Sequence, residues 1–503
     1  MILSLPSTIC NKNIDFNREI IVDCFAGGGG ASTGIELALG VSPDIAINHD
    51  IEAIALHSVN HPNTEHYISD IFEVDPMIAT MGRPVGLAWF SPDCKHHSKA
   101  KGGKPRDKKI RSLAWVAVKW AKKVKPRVIM LENVEEFKDW CPLDKEGYPL
   151  KEKKGETFKL FCSELESLGY EVKYQELKAC DFGAPTTRKR LFLIARCDGR
   201  DIIFPKPTHA KAQSQEVKDG KLLPYKTAAD IIDWSIPTYS IFMDKEEAKQ
   251  YKVRRPLSDK TMERIIKGFE KFVINTNNPY IIDDKLLPFI STYYGKTKHS
   301  TTRGQKVDTP LATITAGGLR HGLAVPYVMA IDNLSSSNST WSIDAPLTTI
   351  TSKARHCIVT PYIAKHYTGA TGFKIDEPMH TITTQDHHSV ITAFLHKFYG
   401  QECRQTIKDP LHTIRTVGHF ALVEIKGIKY KVMDIGFRML SPRELYNAQG
   451  FPSDYKIDIT MPNGKKLPKT AQVRMCGNSV SPVVPKALVE ANFSIEIVGK
   501  KVA

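Results

Sequence analysis

Cys94 ends the segment Phe90-Ser91-Pro92-Asp93-Cys94, and Glu132, 38 residues later, ends Val128-Ile129-Met130-Leu131-Glu132; both stand just beyond an apolar run. A thiol and a carboxyl group carried past the ends of two strands can meet over one edge of a sheet. The pair suits covalent attack on a ring by a thiolate, with an acid to protonate that ring. Lys95, His96, His97, Lys99, Lys101 and Lys104 follow Cys94, and nearby cations favour the thiolate. Asp93 acts in the opposite sense, raising the thiol pKa unless those cations offset it. A third cluster, Arg188-Lys189-Arg190, closes Gly183-Ala184-Pro185-Thr186-Thr187. Taken singly, a Cys is more often a small buried side chain, and an arginine run is more often a solvated face.

The elements that must position these groups are legible in the first two hundred residues, where short apolar runs alternate with helical patterns. That alternation reads as βαβ units around a mainly parallel sheet. Strands are expected at Glu19 to Phe25, Asp44 to Asn48, Val85 to Phe90, Arg127 to Glu132, Glu171 to Leu177 and Leu191 to Arg196, with a short extra strand ending near Asp70. Helices are expected at Ala31 to Leu39, Ser112 to Lys123 and Glu156 to Leu168. Between the first strand and the first helix lies Asp23-Cys24-Phe25-Ala26-Gly27-Gly28-Gly29-Gly30. Glycines there permit a tight turn and a close approach of ligand to backbone at a helix N-terminus. No Lys-Ser/Thr follows, which disfavours an ATPase phosphate loop. Asn48-His49-Asp50 and Asp70 close strands of the same set, where polar groups commonly hold the ribose and base of an adenosine ligand.

Residues 205–250 read as a connection with one short apolar piece, Ala228 to Trp234, followed by a helical pattern near Thr261 to Phe272. The chain then repeats itself. Segments built on Asp-x-Pro-Leu/Met-x-Thr-Ile-Thr, the last shortened, recur with prolines at 310, 346, 378 and 410, spaced 36, 32 and 32 residues apart. Aromatic stretches (Tyr293-Tyr294, His366-Tyr367, Phe398-Tyr399) precede three of them, and basic or His-bearing stretches (Arg320-His321, Arg355-His356, His387-His388, then Gly418-His419) follow all four. Such a period signals stacked, β-rich units that serve a core; a purely structural repeat and a ligand-facing edge both stay open as readings of the polar loops.

The chain has 503 residues, 42% apolar and 25% charged, with a formal charge of +15 and a pI near 9.1. Two or three folding units and a polyanionic partner are the expectations. No apolar stretch is long enough to span a bilayer, and no charged-then-apolar leader opens the chain. Ten cysteines occur without a Cys-x-x-Cys pair or zinc-type spacing, so neither a metal nor a disulfide framework is expected, and a reducing cytoplasm fits.

The order of these blocks resembles the DNA cytosine-5 methyltransferase family along nearly the whole chain. The cofactor loop is similar to Asp23–Gly30, the nucleophile loop to Ser91–Lys95, the acid motif to Glu132-Asn133-Val134 and the Gln-x-Arg-x-Arg motif to Thr186–Arg190. Arg438-Met-Leu-Ser-Pro-Arg-Glu444 with Gln449-Gly450-Phe451-Pro452 resembles the ninth block, and Gly477-Asn478-Ser479-Val480 with Pro482 the tenth. Departures are Asp93 for a second proline, Lys95 for glutamine, Thr186 for glutamine, and Asn48 where a ribose-binding glutamate is common.

The resemblance implies an α/β, Rossmann-like S-adenosylmethionine-dependent methyltransferase domain: a mainly parallel sheet with helices on both faces, over residues 1–260 with 430–503 returning to it. It also implies a smaller, mostly β target-recognition domain over 261–429, carrying the four repeats. Cys94, Glu132, Arg188 and Arg190 would be catalytic. Asp23, Phe25, Ala26, Gly27, Gly29, Gly30, Asn48, His49, Asp50, Asp70, Ile71, Pro92, Asn478 and Ser479 would bind S-adenosyl-L-methionine, leaving S-adenosyl-L-homocysteine. The basic stretch Lys95–Arg111 would close over double-stranded DNA, hinged at Gly102-Gly103, once the cytosine is flipped out. The tenth block would pack beside the Gly27 loop. A monomer in a bacterial cytoplasm or a phage-infected host is expected, with a cognate restriction endonuclease as a candidate partner. Rival readings are an RNA cytosine-5 methyltransferase, an inactive DNA-binding homologue, and a dinucleotide-dependent oxidoreductase suggested by the glycines alone.

Overall fold

The computed structural model describes residues 18–93, 112–259 and 436–497 and, between 259 and 436, residues 261, 262, 265 and 310 with the short strands given below. The chain divides into two compact units, one formed by residues up to Lys226 together with those from Leu445 onward, the other by most of Thr227 to Glu444.

In the first unit the strands are β1 (Ile20–Cys24), β2 (Ile45–Asn48), β3 (Glu65–Ile68), β4 (Val85–Phe90), β5 (Val128–Asn133), β6 (Glu171–Lys178) and β7 (Lys189–Arg196). They form one seven-stranded sheet in the order β3-β2-β1-β4-β5-β7-β6. The first five run parallel, and β7 is antiparallel to both β5 and β6. The expected strand at Leu191 starts two residues earlier, so Arg190 belongs to the strand itself.

The helices that position the site are α1 (Gly30–Leu39), α2 (Ile51–Asn60), α3 (Pro76–Thr80), α4 (Trp115–Val124), α5 (Glu156–Ser167), α6 (Pro442–Gln449), α7 (Lys469–Asn478) and α8 (Val483–Asn492); others, Gln215–Lys218 and Lys245–Gln250, lie elsewhere in the chain. Local signals fix several ends. Asp50 and Asp75 cap α2 and α3 by accepting backbone N–H groups, with Pro76 at the start of α3. Ser112–Ala114, expected to be helical, makes a tighter 3₁₀ turn before α4.

β1, β4 and β5 are buried along their whole length, as continuous apolar runs in a sheet covered on both faces should be. Alternate residues divide between two cores. Ile20, Val22, Ala88, Phe90, Ile129 and Leu131 pack with Trp120 of α4 and Phe158 and Phe161 of α5. Ile21, Leu87, Trp89, Val128 and Met130 pack with Ile35 of α1 and Val484 and Leu488 of α8. The C-terminus therefore completes one face of a sheet begun at residue 20.

In the second unit, Phe289–Thr292 pairs antiparallel with Gly304–Gln305 and His321–Val325. His321–Val325 pairs onward with Pro361–Lys365 and Gly436–Met439, Pro361–Lys365 with His388–Thr392, and Gly436–Met439 with Tyr239–Ser240. Met329–Ala330, Ile428–Lys431 and Leu422–Ile425 form a separate three-stranded sheet. These strands flank the Thr-Ile-Thr runs; apart from Pro310, the repeated motifs lie outside the described residues. Arg438 holds this unit's C-terminal strand through a buried bidentate pair to Glu444, at 2.7 and 2.8 Å, and Glu444 also accepts N–H bonds from Asp233 and Ser441.

Candidate active site

The sheet order places its reversal between β1 and β4, because β2 and β3 extend to one side and β5 to the other. Loops leaving β1 and β4 must diverge there and open a crevice at the strands' C-terminal ends. Glu132 lies one residue past Leu131, and Leu131 is in register with Phe90 of β4. β7 is antiparallel, so its beginning lies at the edge where β5 ends. That geometry brings two arginines to Glu132: Arg190 Nε lies 3.2 Å and Arg188 Nη2 3.8 Å from the carboxylate Oε1. Glu132 and Arg188 are buried. Neither contact is a hydrogen bond, and among the described residues Oε1 has no hydrogen-bond partner. The carboxylate is thus held by charge.

Cys94 and the basic stretch to Arg111 lie outside the described residues, which run up to Asp93. The backbone leading to residue 94 is nevertheless placed. It leaves β4 beside β5, and Asn133 Nδ2 approaches the carbonyl of Pro92 at 3.5 Å. Thr186, in the place of the family's glutamine, is fully buried and accepts from Arg188 N–H at 3.3 Å, which shapes the turn into β7.

A small cleft opens beside this edge, lined by Asp23, Phe25, Ala26, Gly27, Gly30, Ala31, Ser91, Asn478, Ser479 and Val480. The four glycines do different work. A Cβ on Gly27 would meet only Phe25 O, at an ordinary contact distance of 3.8 Å, so this position has room for a side chain. At Gly28 a Cβ would meet Met475 O at 2.7 Å, and at Gly30 it would meet Val480 O at 1.9 Å. Gly29 has φ of +76° and sits against the Tyr455 hydroxyl. The last three glycines therefore admit the C-terminal segment to the loop. Gly30 N–H donates to Ser479 Oγ at 2.9 Å, and the Tyr455 hydroxyl donates to Gly28 O at 2.9 Å. Gln449 Nε2 fixes the segment by donating to the carbonyls of Cys476 and Ser479, and Arg188 Nη1 donates to Gly477 O.

Of the residues expected to bind cofactor, the cleft gathers Asp23, Phe25, Ala26, Gly27, Gly30, Asn478 and Ser479. Asn48 spends its side chain on the backbone, donating to Ala26 O at 3.2 Å and accepting from Asp50 N–H at 2.9 Å. Asp50 caps α2 and pairs with Arg474, whose other nitrogen reaches Glu52 at 2.6 Å; this guanidinium holds the Asp50 carboxyl below its usual range although burial opposes it. Asp70 accepts from Phe72 N–H, Ile71 is buried, His49 is exposed, and Pro92 is buried at the start of the residue-94 loop. These last six residues and Gly29 are not part of the cleft's lining. Sequence reasoning missed Ala31, Ser91 and Val480 as lining and Tyr455 and Gln449 as supports. Ser91, Val480 and Gln449 stand inside blocks already recognised and Ala31 adjoins one, whereas Tyr455 carried no such signal.

Asp23 is the unusual group. It is 1% exposed, one oxygen accepts from Ser32 Oγ at 2.7 Å, and among the described residues Oδ1 has no partner. Burial raises its pKa to about 7 against the opposing Ser32 bonds. Asp23 belongs to the cleft's lining, and its buried Oδ1 is left without a hydrogen bond among the described residues.

A family model described as C-5 cytosine-specific DNA methylase matches residues 20–494. The chain belongs to this family. The methylase is 26% identical over 220 residues to the Type II methyltransferase M.AquIA of Picosynechococcus sp., covering 42% of this chain and 87% of that one. It is 27% identical over 202 residues to the Type II methyltransferase M.AgeI of Thalassovita gelatinovora, covering 39% of this chain and 44% of that one. Among solved structures, a mutant of the Spodoptera frugiperda DNMT2 has a TM-score of 0.46 and 14% identity, over 94% of this chain and 99% of that one. The methylase thus spans most of the first relative and less than half of the second. None of its described helices is long and apolar enough to cross a membrane, and the described residues contain no cluster of metal-ligating side chains.

Proposed function

We propose that the protein is a DNA cytosine-5 methyltransferase acting on a cytosine flipped out of duplex DNA. One observation carries the reading: Glu132, gripped by Arg188 and Arg190, stands at the edge where the chain departs toward Cys94, next to a cleft closed by Ser479. The cleft suits S-adenosyl-L-methionine because Gly27 leaves room for it and Asp23 Oδ1 awaits a cation. When bound, that cofactor supplies the electrophilic methyl group taken by carbon 5.

The chain's own residues perform the remaining work. Cys94 thiolate adds to carbon 6, and its sulfur–carbon bond makes carbon 5 nucleophilic. Glu132 donates a proton to ring nitrogen 3, so negative charge does not accumulate on the ring. Arg190 contacts the exocyclic oxygen, and Arg188 ties Glu132 to the loop of Gly477. After transfer the proton on carbon 5 is lost to a base, the sulfur–carbon bond breaks, and Cys94 leaves as thiolate. A stacked base cannot meet these groups, so the cytosine must leave the duplex. The unit from Thr227 to Glu444 is assigned to target recognition, the basic stretch Lys95–Arg111 to closure over DNA, and the chain to the cytoplasm as a monomer. Its affinity with Type II methyltransferases makes a cognate restriction endonuclease the partner to seek.

Duplex DNA carrying 5-fluorocytosine, which cannot lose its fluorine as a proton, should trap a covalent adduct with the wild type and none with Cys94→Ser. Methyl transfer by Cys94→Ser at the wild-type rate would overturn the mechanism.

A further inference from the structure

Behind the cleft a file of hydrogen-bonded side chains leads away from Asp23. Ser32 Oγ lies 2.7 Å from Asp23 Oδ2, His57 Nε2 lies 2.9 Å from Ser32 Oγ, and His66 Nε2 lies 2.8 Å from His57 Nδ1. Asp23, Ser32 and His57 are buried, whereas His66, on β3, is partly exposed. Each inner member can both donate and accept, so the file can be polarised in either direction.

We propose that Ser32, His57 and His66 form a proton path for Asp23, so that a cationic ligand entering the cleft expels the carboxyl proton through His66 to solvent. The proposal rests on the reading of the cleft as the S-adenosyl-L-methionine site. The step balances. With Asp23 protonated, Asp23 donates to Ser32, Ser32 to His57 Nε2, and His57 Nδ1–H to His66 Nε2. When the ligand's positive charge draws out the carboxylate, each proton moves one bond along. His66 briefly carries two N–H groups and releases the outer one to water. Asp23 is left ionised, accepting from Ser32 and facing the cation with Oδ1.

The surroundings suit this role. Burial holds the Asp23 carboxyl near neutrality, so a proton is there to be displaced, and burial with the neighbouring His61 and His66 pushes His57 well below the usual histidine range. His57 can therefore relay a proton without storing charge. Among the described residues the file is faced by His61 just past the end of α2, with its ring 4.5 Å from that of His57, and by Thr33 and Glu36 on α1, which contact His61 at 3.3 and 2.8 Å. Tyr455 lies beside His61 and Cys24 adjoins Asp23, both with pKa values raised by burial, so neither ionises near neutrality. Arg474 approaches α2 at its start but is spent on Asp50 and Glu52.

The test is calorimetric titration of the full chain with S-adenosyl-L-methionine in buffers of different ionisation enthalpy, which counts protons released on binding. Close to one proton should be released near about pH 6, roughly half of one near about pH 7, and almost none near about pH 8.5, where Asp23 is already ionised. Asp23→Asn should bind with no pH-dependent release. His57→Leu should leave the equilibrium count unchanged and slow the proton's exit about tenfold or more, followed by stopped-flow with an indicator dye. Binding without proton release at any of these pH values overturns the inference and leaves the cofactor reading standing. Absence of binding heat together with absence of retention in equilibrium dialysis overturns the reading and the inference with it. An unchanged exit rate in His57→Leu refutes the path.

Discussion

Two glycines of one run, Gly27 in the loop and Gly30 at the start of α1, should respond to the same substitution in opposite ways. At Gly30 an added Cβ would lie 1.9 Å from Val480 O and 2.4 Å from Ser479 Oγ, and the first of these is backbone that cannot rotate away. The C-terminal segment must then retreat, with loss of the buried Gly30 N–H bond to Ser479 Oγ. Overpacking of this kind costs about 1–3 kcal/mol, and the lost hydrogen bond ~1 kcal/mol more. Gly30→Ala should therefore lower stability by about 3 kcal/mol, moving a urea midpoint by roughly 1 M. Gly27→Ala meets only Phe25 O at 3.8 Å, and its φ lies outside the left-handed region. Its stability should stay within about 0.5 kcal/mol of wild type, or rise slightly because the unfolded chain is restricted. Its methyl group would instead intrude on the cleft and weaken S-adenosyl-L-methionine binding at least about tenfold. Urea unfolding followed by tryptophan fluorescence, paired with calorimetric binding, separates the two. Equal midpoints for both variants, or a Gly27→Ala protein that unfolds early yet binds normally, would refute the division of roles among the glycines.

Glu132→Gln should keep the fold and lower the rate of methyl transfer about 10²–10⁴-fold, the usual range for a lost general acid, measured by transfer of labelled methyl groups to duplex DNA. Arg438→Met leaves Glu444 buried without its bidentate partner and should destabilise the Thr227–Glu444 unit by about 3–5 kcal/mol, seen as an earlier unfolding transition. Asp23→Asn should change the pH dependence of stability. The wild-type carboxyl, raised by burial from 3.8 to about 7, favours folding below its unfolded pKa and loses that contribution as pH rises through 7. The asparagine variant should thus gain on the wild type between about pH 4 and about pH 7, by up to ~4 kcal/mol, and the gap should level off above that. A gap that stays constant across that range would place Asp23 in water.

Residue types and order alone were enough to write down the parallel strands, because a strand buried on both faces must be a continuous apolar run; β1, β4 and β5 are such runs. They were also enough for Cys94 and Glu132, which stand just past such runs, while the blocks around Arg188 and Gly477 were legible through their resemblance to the family. Local order could not show that β7 runs antiparallel, which alone brings Arg190 to the edge where β5 ends. Nor could it assign the glycines, since Gly28 and Gly30 are small for the sake of Met475 and Val480, hundreds of residues away. Asn48 reads as a ribose ligand in sequence but is consumed by Ala26 and Asp50, because a side-chain amide satisfies whichever backbone groups the fold brings near. The file from His66 to Asp23 has no sequence signature at all. It joins β1, α1, α2 and β3, and only their packing sets four polar side chains within hydrogen-bond reach in the dry interior.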